Sequence, residues 1–293
     1  MKKSKKSFAN KHVSICHRPE SPEALNKAKE IANWLDELKV QVYSPSGKKL
    51  GKHVKSLDSK TSLDKLSLMV VVGGDGTYLR AANLLEGRPT PILGINMGSL
   101  GFLTETRVSE AYRAILQFLE NKMELHQRSI IKVTVVKGGK SHKSYFALND
   151  IVFERGLDTH LINIGISFEK NLICDLKADG IIVSTPTGST AYNLAAGGPI
   201  IYPSSSVLSI VPINSHSLTM RPLIVPDDRQ IHIRILSKNT SAFVTVDGQR
   251  VEEVKPTDSV VIEKSDRDHL TVREPGNNYF DLLRDKLKFG QRD

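Results

Sequence analysis

The chain has 293 residues, 39% of them hydrophobic, and carries 41 Lys+Arg against 32 Asp+Glu, a formal charge of +9. That length admits one large domain or two modest ones, and the composition excludes general disorder. The positive balance favours anionic partners, phosphates among them, without specifying a fold. The opening MKKSKKSFANKH is basic like the start of a signal peptide, but no apolar core follows, so it reads as a solvated tail. The longest apolar runs, such as Leu68 to Val72, are far too short to span a bilayer. Cys16 and Cys174 stand one in each half without Cys-x-x-Cys spacing. They read as hydrophobic fillers in a reducing compartment, the cytoplasm of a microbe.

The first predicted strand is His12 to His17. Ser21-Pro22 then opens an amphipathic helix over Glu23 to Leu38, with Ala24, Leu25, Ala28, Ile31, Leu35 and Leu38 on its apolar face. Val40 to Tyr43 is a short strand. Leu66 to Val72 is continuously apolar, as a parallel strand covered on both faces must be. Leu79 to Leu85 predicts a helix, Pro91 to Ile95 a strand and Ser109 to Leu119 a helix. This alternation implies a Rossmann-like α/β layer over residues 1–125. From about Gln127 the period drops to two: Ile131 to Val136, Leu161 to Phe168 and Ile231 to Leu236 alternate. With Ala242 to Val246 and Ser259 to Ile262, these strands imply a β-rich domain over residues 126–270, interrupted by a helix opening near Gly188. Asn277 to Leu287 reads as a terminal helix, within a 271–293 segment that returns to the first domain.

Chemistry gathers where glycines cluster. After the buried strand comes Gly73-Gly74-Asp75-Gly76-Thr77, at the strand end where an α/β sheet binds ligand. Glycines let the backbone approach phosphate, and the first turn of a following helix presents unpaired amides to it. An acid there repels phosphate unless a cation or a reactive hydroxyl lies between them. Asp75 therefore orients Mg²⁺, takes a proton from an attacking alcohol, or simply caps the helix. The loop lacks the Gly-Lys-Ser/Thr of a Walker A motif. A second stretch, Asp179 to Ile200, reads DGIIVSTPTGSTAYNLAAGGPI, with Thr187, Ser189 and Thr190 offering hydroxyls beside Gly188. Tyr192 adds a ring able to stack on a base while its hydroxyl makes a directional bond. Asn149-Asp150 can match adenine and grip ribose hydroxyls, or can be an ordinary turn. The histidines, including His160, His216 and His232, show no metal-ligand spacing, so no protein metal site is expected. The basic residues are scattered rather than grouped with aromatics, and no nucleic-acid surface is expected.

GGDGT resembles the loop of NAD kinases, with related forms in diacylglycerol, sphingosine and 6-phosphofructokinases. The DGIIVSTPTGSTAY segment resembles the central NAD kinase signature almost throughout. The resemblance covers the chain from the first strand to about Tyr279. It implies transfer of the terminal phosphoryl group of ATP (or polyphosphate) to the adenosine 2′-hydroxyl of NAD, with Mg²⁺ or another divalent cation, in a homodimer or homotetramer. It makes Asp75 the catalytic group, with Gly73, Gly74, Gly76 and Thr77 at phosphate. Asn149 then meets adenine, Asp150 the ribose, and Asp179 the nicotinamide-bearing half. Thr187, Gly188, Ser189, Thr190, Ala191 and Tyr192 line the dinucleotide site. Ala195 stands where many members carry serine, so one hydroxyl contact is missing or taken over by water, with activity expected to persist. NMGSLGFLT, Asn96 to Thr104, resembles the family's Gly-x-x-Gly-Phe element; Phe102 closes over adenosine or is a core aromatic. Lys177 faces nicotinamide or solvent. Arg221 orients phosphate, bridges the domains or forms a surface ion pair. Asp247-Gly248 is a hairpin turn that can also border the site. Two other readings account for less of the sequence: a lipid or sugar kinase sharing GGDGT, and a non-enzymatic NAD sensor.

Overall fold

The computed structural model describes residues 8–57, 63–156, 161–238 and 240–290; the start of the basic tail and His160 lie outside them. The chain divides into two compact units, residues 1–127 with 270–293, and residues 128–269.

In the first unit the chain runs β1 (His12–His17), α1 (Pro22–Glu37), β2 (Gln41–Ser44), β3 (Lys55–Ser56), β4 (Leu68–Gly73), α2 (Asp75–Leu84), β5 (Ile92–Asn96), β6 (Thr106–Arg107), α3 (Ala111–Leu119) and β7 (Glu124–Arg128). The far end adds β20 (His269–Arg273) and α5 (Tyr279–Leu287). Helix α1 starts where Ser21 caps it, the hydroxyl accepting from Ala24 N at 3.2 Å, and Pro22 fills the first position. Its buried Ala24, Ala28, Ile31, Ala32 and Leu35 share a core with Val13, Ile15, Val70 and Val72 of the sheet. Among the described residues the sheet order is β3-β2-β1-β4-β5-β20-β7, with β6 on β5. Strand β4 lies parallel between β1 and β5 and is buried along its whole length, which is what its unbroken apolar run requires. The chain winds from β1 outward to β3, then returns to β4 and continues the other way to β5. The C-terminal ends of β1 and β4 therefore flank a topological switch point, the place where such sheets bind ligands.

Strand β20 was not apparent in the sequence. It pairs parallel with β5, Thr271 opposite Ile92, and sits between β5 and β7. The Tyr78 hydroxyl of α2 donates to Thr271 Oγ1 at 3.2 Å, and Arg273 donates twice to Glu105 Oε2 at 2.9 and 2.7 Å. Helix α5 begins two residues later than the expected Asn277, capped by Asn278, whose side chain accepts from Phe280 N.

The second unit contains β8 (Ile131–Lys137), β9 (Lys140–Ala147), β10 (Asp150–Arg155), β11 (Ile162–Phe168), β12 (Asn171–Ala178), β13 (Gly180–Ser184), α4 (Tyr192–Ala195), β14 (Val207–Ile213), β15 (Leu223–Pro226), β16 (Ile231–Ile235), β17 (Ala242–Val246), β18 (Gln249–Val254) and β19 (Ser259–Lys264). Its two antiparallel sheets run β15-β14-β13-β10-β17-β18 and β12-β11-β16-β19-β8-β9. Alternate residues of both, such as Val133, Phe153, Ile164, Ile181, Ile233 and Val244, form one core. Strands β17 and β18 are joined by Asp247-Gly248 with φ of 45° and 77°, the left-handed pair of a tight two-residue hairpin.

Two helices differ from expectation by more than a residue or two. Helix α2 starts at Asp75 rather than Leu79, so the GGDGT motif is itself the strand-to-helix turn and its first helical residues. Near Gly188 there is no extended helix, only a 3₁₀ turn over Thr187–Thr190 and the single turn α4. Ala191, at φ −98° and ψ −128°, breaks the helical path. Ser189 and Asn193 commit their side chains to backbone oxygens of Pro186, Ser189, Pro199 and Ile201, a local competition that short polar residues favour.

Candidate active site

In the first unit the site is built around the turn from β4 into α2. Gly74 caps the helix with no side-chain bond, and the amides of Thr77 and Tyr78 turn back to its carbonyl at 2.9 and 3.1 Å. The amides ahead of them are those that helix geometry leaves without an intrahelical acceptor, and they carry the positive end of the helix dipole. Gly76 is exposed there and Thr77 is buried. Asp75, half-buried, turns its carboxylate to the segment after β5. It accepts Phe102 N at 2.8 Å on Oδ2, and Leu103 N, Thr104 N and Thr104 Oγ1 at 3.1, 3.1 and 2.9 Å on Oδ1. A Cβ added at Gly101 would overlap Asp75 Oδ1, so a side chain there must displace that carboxylate. Phe102 thus meets Asp75 through its backbone, and its side chain is partly exposed rather than a core aromatic.

The second unit brings Asn149, Asp150, Asp247 and the Thr187–Gly188 turn together. Asp247 mirrors Asp75: its carboxylate accepts the amides of Leu148, Asn149 and Asp150 at 2.9, 2.8 and 3.2 Å. From the other side, Thr185 N donates to Asn149 O at 2.9 Å, and Thr185 Oγ1 donates to Leu148 O while accepting from Gly188 N. Gly188 lies so close that a Cβ would run into Asn149 O. Asp150 is buried, and burial, reinforced by the negative charge of Asp247, pushes its carboxyl up to about 7. Burial likewise raises Asp247, against the lowering effect of its three amides. The Thr187 hydroxyl is buried without a hydrogen-bond partner among the described residues.

Tyr192 is 43% exposed. Burial raises its phenol, with smaller contributions from the charges of Glu154, Asp150 and Asp179. Asp179 is held by Asn214 Nδ2 at 2.9 Å and Arg155 Nε at 2.7 Å, in that order the causes that lower its carboxyl. Ser189 is fully buried with its hydroxyl committed to Pro186 and Ile201, so it supports the turn from within. Thr190 reaches back to Thr187 O, Ala191 is half-buried and Ala195 is exposed on α4. Lys177 is an exposed β12 residue opposite Asn163. Arg221 donates to the Leu218 and Met220 carbonyls of its own loop.

Arg155, Thr185, Asn96 and Thr104 were not singled out from sequence. Asn96 and Thr104 lay inside the quoted NMGSLGFLT stretch, but nothing in their spacing reveals that they meet Asp75. No group of three or more His, Cys, Asp or Glu able to hold a metal occurs among the described residues. No helix of the described residues is long and apolar enough to cross a membrane.

Residues 13–123 match the ATP-NAD kinase N-terminal domain and residues 148–274 the ATP-NAD kinase C-terminal domain. An NAD kinase of Bdellovibrio bacteriovorus is 47% identical over 284 residues, covering 97% of this chain and 94% of that one. An NAD kinase of Geotalea daltonii is 38% identical, covering 96% of this chain and 100% of that one. Among solved structures, yeast NADH kinase complexed with NADH superposes with a TM-score of 0.89 at 25% identity, covering 97% of this chain and 89% of that one. An NAD kinase from Archaeoglobus fulgidus in complex with ATP gives 0.73 at 25% identity, covering 93% and 98%. The parallel sheet, its glycine-flanked acid and these matches define a nucleotide-dependent phosphotransferase. The chain belongs to the ATP-NAD kinase family, an enzyme that phosphorylates NAD to NADP at the expense of ATP. Lipid kinase, sugar kinase and passive sensor give way to that assignment.

Proposed function

We propose that Asp75 is the general base of this reaction and that the labour is divided between the units. The supporting observation is a carboxylate fixed by four donors at the switch-point end of β4, at the start of a helix. In the reaction the 2′-hydroxyl proton passes to Asp75 as the 2′-oxygen forms its bond to the γ-phosphorus. The bond from that phosphorus to the β–γ bridging oxygen breaks, and ADP leaves with the electron pair. The Gly73–Thr77 turn and its helix-start amides receive the transferring phosphoryl group, stabilising charge that develops there. A divalent cation carried in with ATP, or with polyphosphate if that serves as donor, would screen the phosphate charges.

The second unit recognises the acceptor. Asn149 pairs with adenine, Asp150 accepts from ribose hydroxyls, and the Thr187 hydroxyl, buried without a partner among the described residues, is poised to bond the dinucleotide. Tyr192 offers its exposed ring for stacking, with Gly188, Thr190 and Ala191 beside it and Ser189 bracing the turn. Asp247 acts by holding the 148–150 backbone. Asp179 and Lys177 border the nicotinamide-bearing half. The working form is a homodimer or homotetramer.

Asp75→Asn tests the reading directly. Loss of a general base costs roughly 10²–10⁴-fold in turnover. NADP formation from NAD and ATP should fall by that factor while NAD still binds; turnover at the level of the unaltered enzyme would remove Asp75 from this role.

A further inference from the structure

We propose that Thr104, oriented by Asn96, is a positioning residue that immobilises one oxygen of Asp75 and leaves the other free to meet the substrate hydroxyl. The inference rests on Asp75 being the base and adds which of its atoms works and what holds it.

The polarity of the network follows from donor inventory. Gly98 N can only donate, so the Asn96 atom 2.6 Å away is the amide oxygen. The other end of that side chain is therefore the amide nitrogen, which can only donate, and it does so to Thr104 Oγ1 at 2.8 Å. Thr104 has a single hydroxyl proton, and with Asn96 supplying a donor, that proton goes to Asp75 Oδ1 at 2.9 Å. Each link thus has one possible direction. Asn96 is 5% exposed and Thr104 0%, so water does not compete for these bonds, and a satisfied buried network of this kind is stiff.

The two carboxylate oxygens end up unequal. Oδ1 takes three donors, from Leu103 N, Thr104 N and Thr104 Oγ1, and its lone pairs are filled. Oδ2 takes one, from Phe102 N, and among the described residues retains a lone pair for a substrate hydroxyl. The Thr104 hydroxyl makes the shortest bond to Oδ1 and, among the described residues, the only one from a side chain. Without it only the three backbone amides hold the carboxylate, and the direction of Oδ2 toward the ribose loosens.

The test compares Thr104→Val, Thr104→Ser and Asn96→Asp, each alone, with Thr104→Val also in an Asp75→Asn background. Steady-state NADP formation gives kcat and both KM values, and a thermal melt confirms folding. Misplacement of a catalytic group can cost on the order of 10²-fold, so Thr104→Val should lower kcat by roughly 10–100-fold with KM for NAD and ATP within about 3-fold. Thr104→Ser, which keeps the hydroxyl, should recover most of that loss. Asn96→Asp presents an acceptor to Thr104 and draws the proton away from Asp75, so it should resemble Thr104→Val even if the valine variant folds poorly. In Asp75→Asn, where there is no base left to position, Thr104→Val should add nothing.

Full kcat in Asn96→Asp or in folded Thr104→Val, with Asp75→Asn inactive, overturns the inference and leaves the base intact. An equal further loss in the Asp75→Asn background, or an effect on KM alone, also overturns it by showing that Thr104 acts elsewhere. Full turnover in Asp75→Asn removes the base, and this inference with it.

Discussion

Asp75 and Asp247 answer the same local problem in different units: a backbone segment must be held in place without a regular ladder. Each carboxylate collects three consecutive amides, residues 102–104 for Asp75 and 148–150 for Asp247. Asp150 is the residue that suffers, being buried beside Asp247 with its carboxyl raised to about 7. The sign of the consequence follows from linkage: a carboxyl whose pKa is higher folded than unfolded binds more protons in the native state. Its stabilising share is complete below the unfolded value of about 4 and disappears as pH rises through about 7. Asp150→Asn should therefore raise Tm at pH 8, by roughly 2–8 °C if 1–2 kcal/mol is recovered, and by much less at pH 5. On the proposed role of Asp150 at the ribose, the same variant should also bind NAD less well at pH 8, where the carboxylate it replaces is charged. Melting curves at the two pH values check this, and an equal shift at both would show that Asp150 is not held against its burial.

At the scale of elements, what was legible was what burial writes into a sequence. Strands β1 and β17 lie where their apolar patterns place them, and β4, β8, β11 and β16 differ only by a residue or two. Strands β9, β12 and β18 left no such mark because they sit at sheet edges or turn mostly exposed residues outward, so their sequences look like loops. The site was legible in composition and illegible in geometry: GGDGT and STPTGSTAY announce a phosphate and nucleotide chemistry. Nothing in one dimension shows that Asp75 will be claimed by residues 27 to 29 positions later. The turn after β13 makes the same point, since Gly188 is required by Asn149, a residue on a different strand's threshold. Gly188→Ala should push the Asn149 carbonyl aside, destabilise the protein by about 1–3 kcal/mol and raise KM for NAD at least tenfold. Gly76→Ala is the contrast: its added Cβ meets nothing within 4 Å, and Tm should not fall. Melting curves and NAD titrations of the two variants decide whether close approach, rather than glycine content, is what these motifs supply.

At the scale of the molecule, the chain leaves its first unit at Gln127 and comes back to it at Leu270. The returning segment is structural: β20 fills the sheet between β5 and β7, and its Arg273, 5% exposed, holds the carboxylate of Glu105. Glu105 directly follows Thr104, so the last strand braces the segment that holds Asp75. The core of the second unit, drawn from residues 131–262, contains nothing from the return. A chain ended after Asp268 keeps both glycine motifs yet exposes the edge of β5, and an open apolar edge invites pairing between chains. It also strips Tyr78 of its Thr271 partner and leaves Glu105 without Arg273 where it is nearly buried. Removing one member of such a pair costs about 3–5 kcal/mol. The truncated chain should form no NADP and should aggregate, while proteolysis releases a resistant fragment near residues 128–268. Arg273→Ala, a milder version, should lower Tm and turnover together without altering the second unit's core. Undiminished NADP formation by the truncated chain would show that the first unit's sheet and the Asp75 clasp are complete without their final strand.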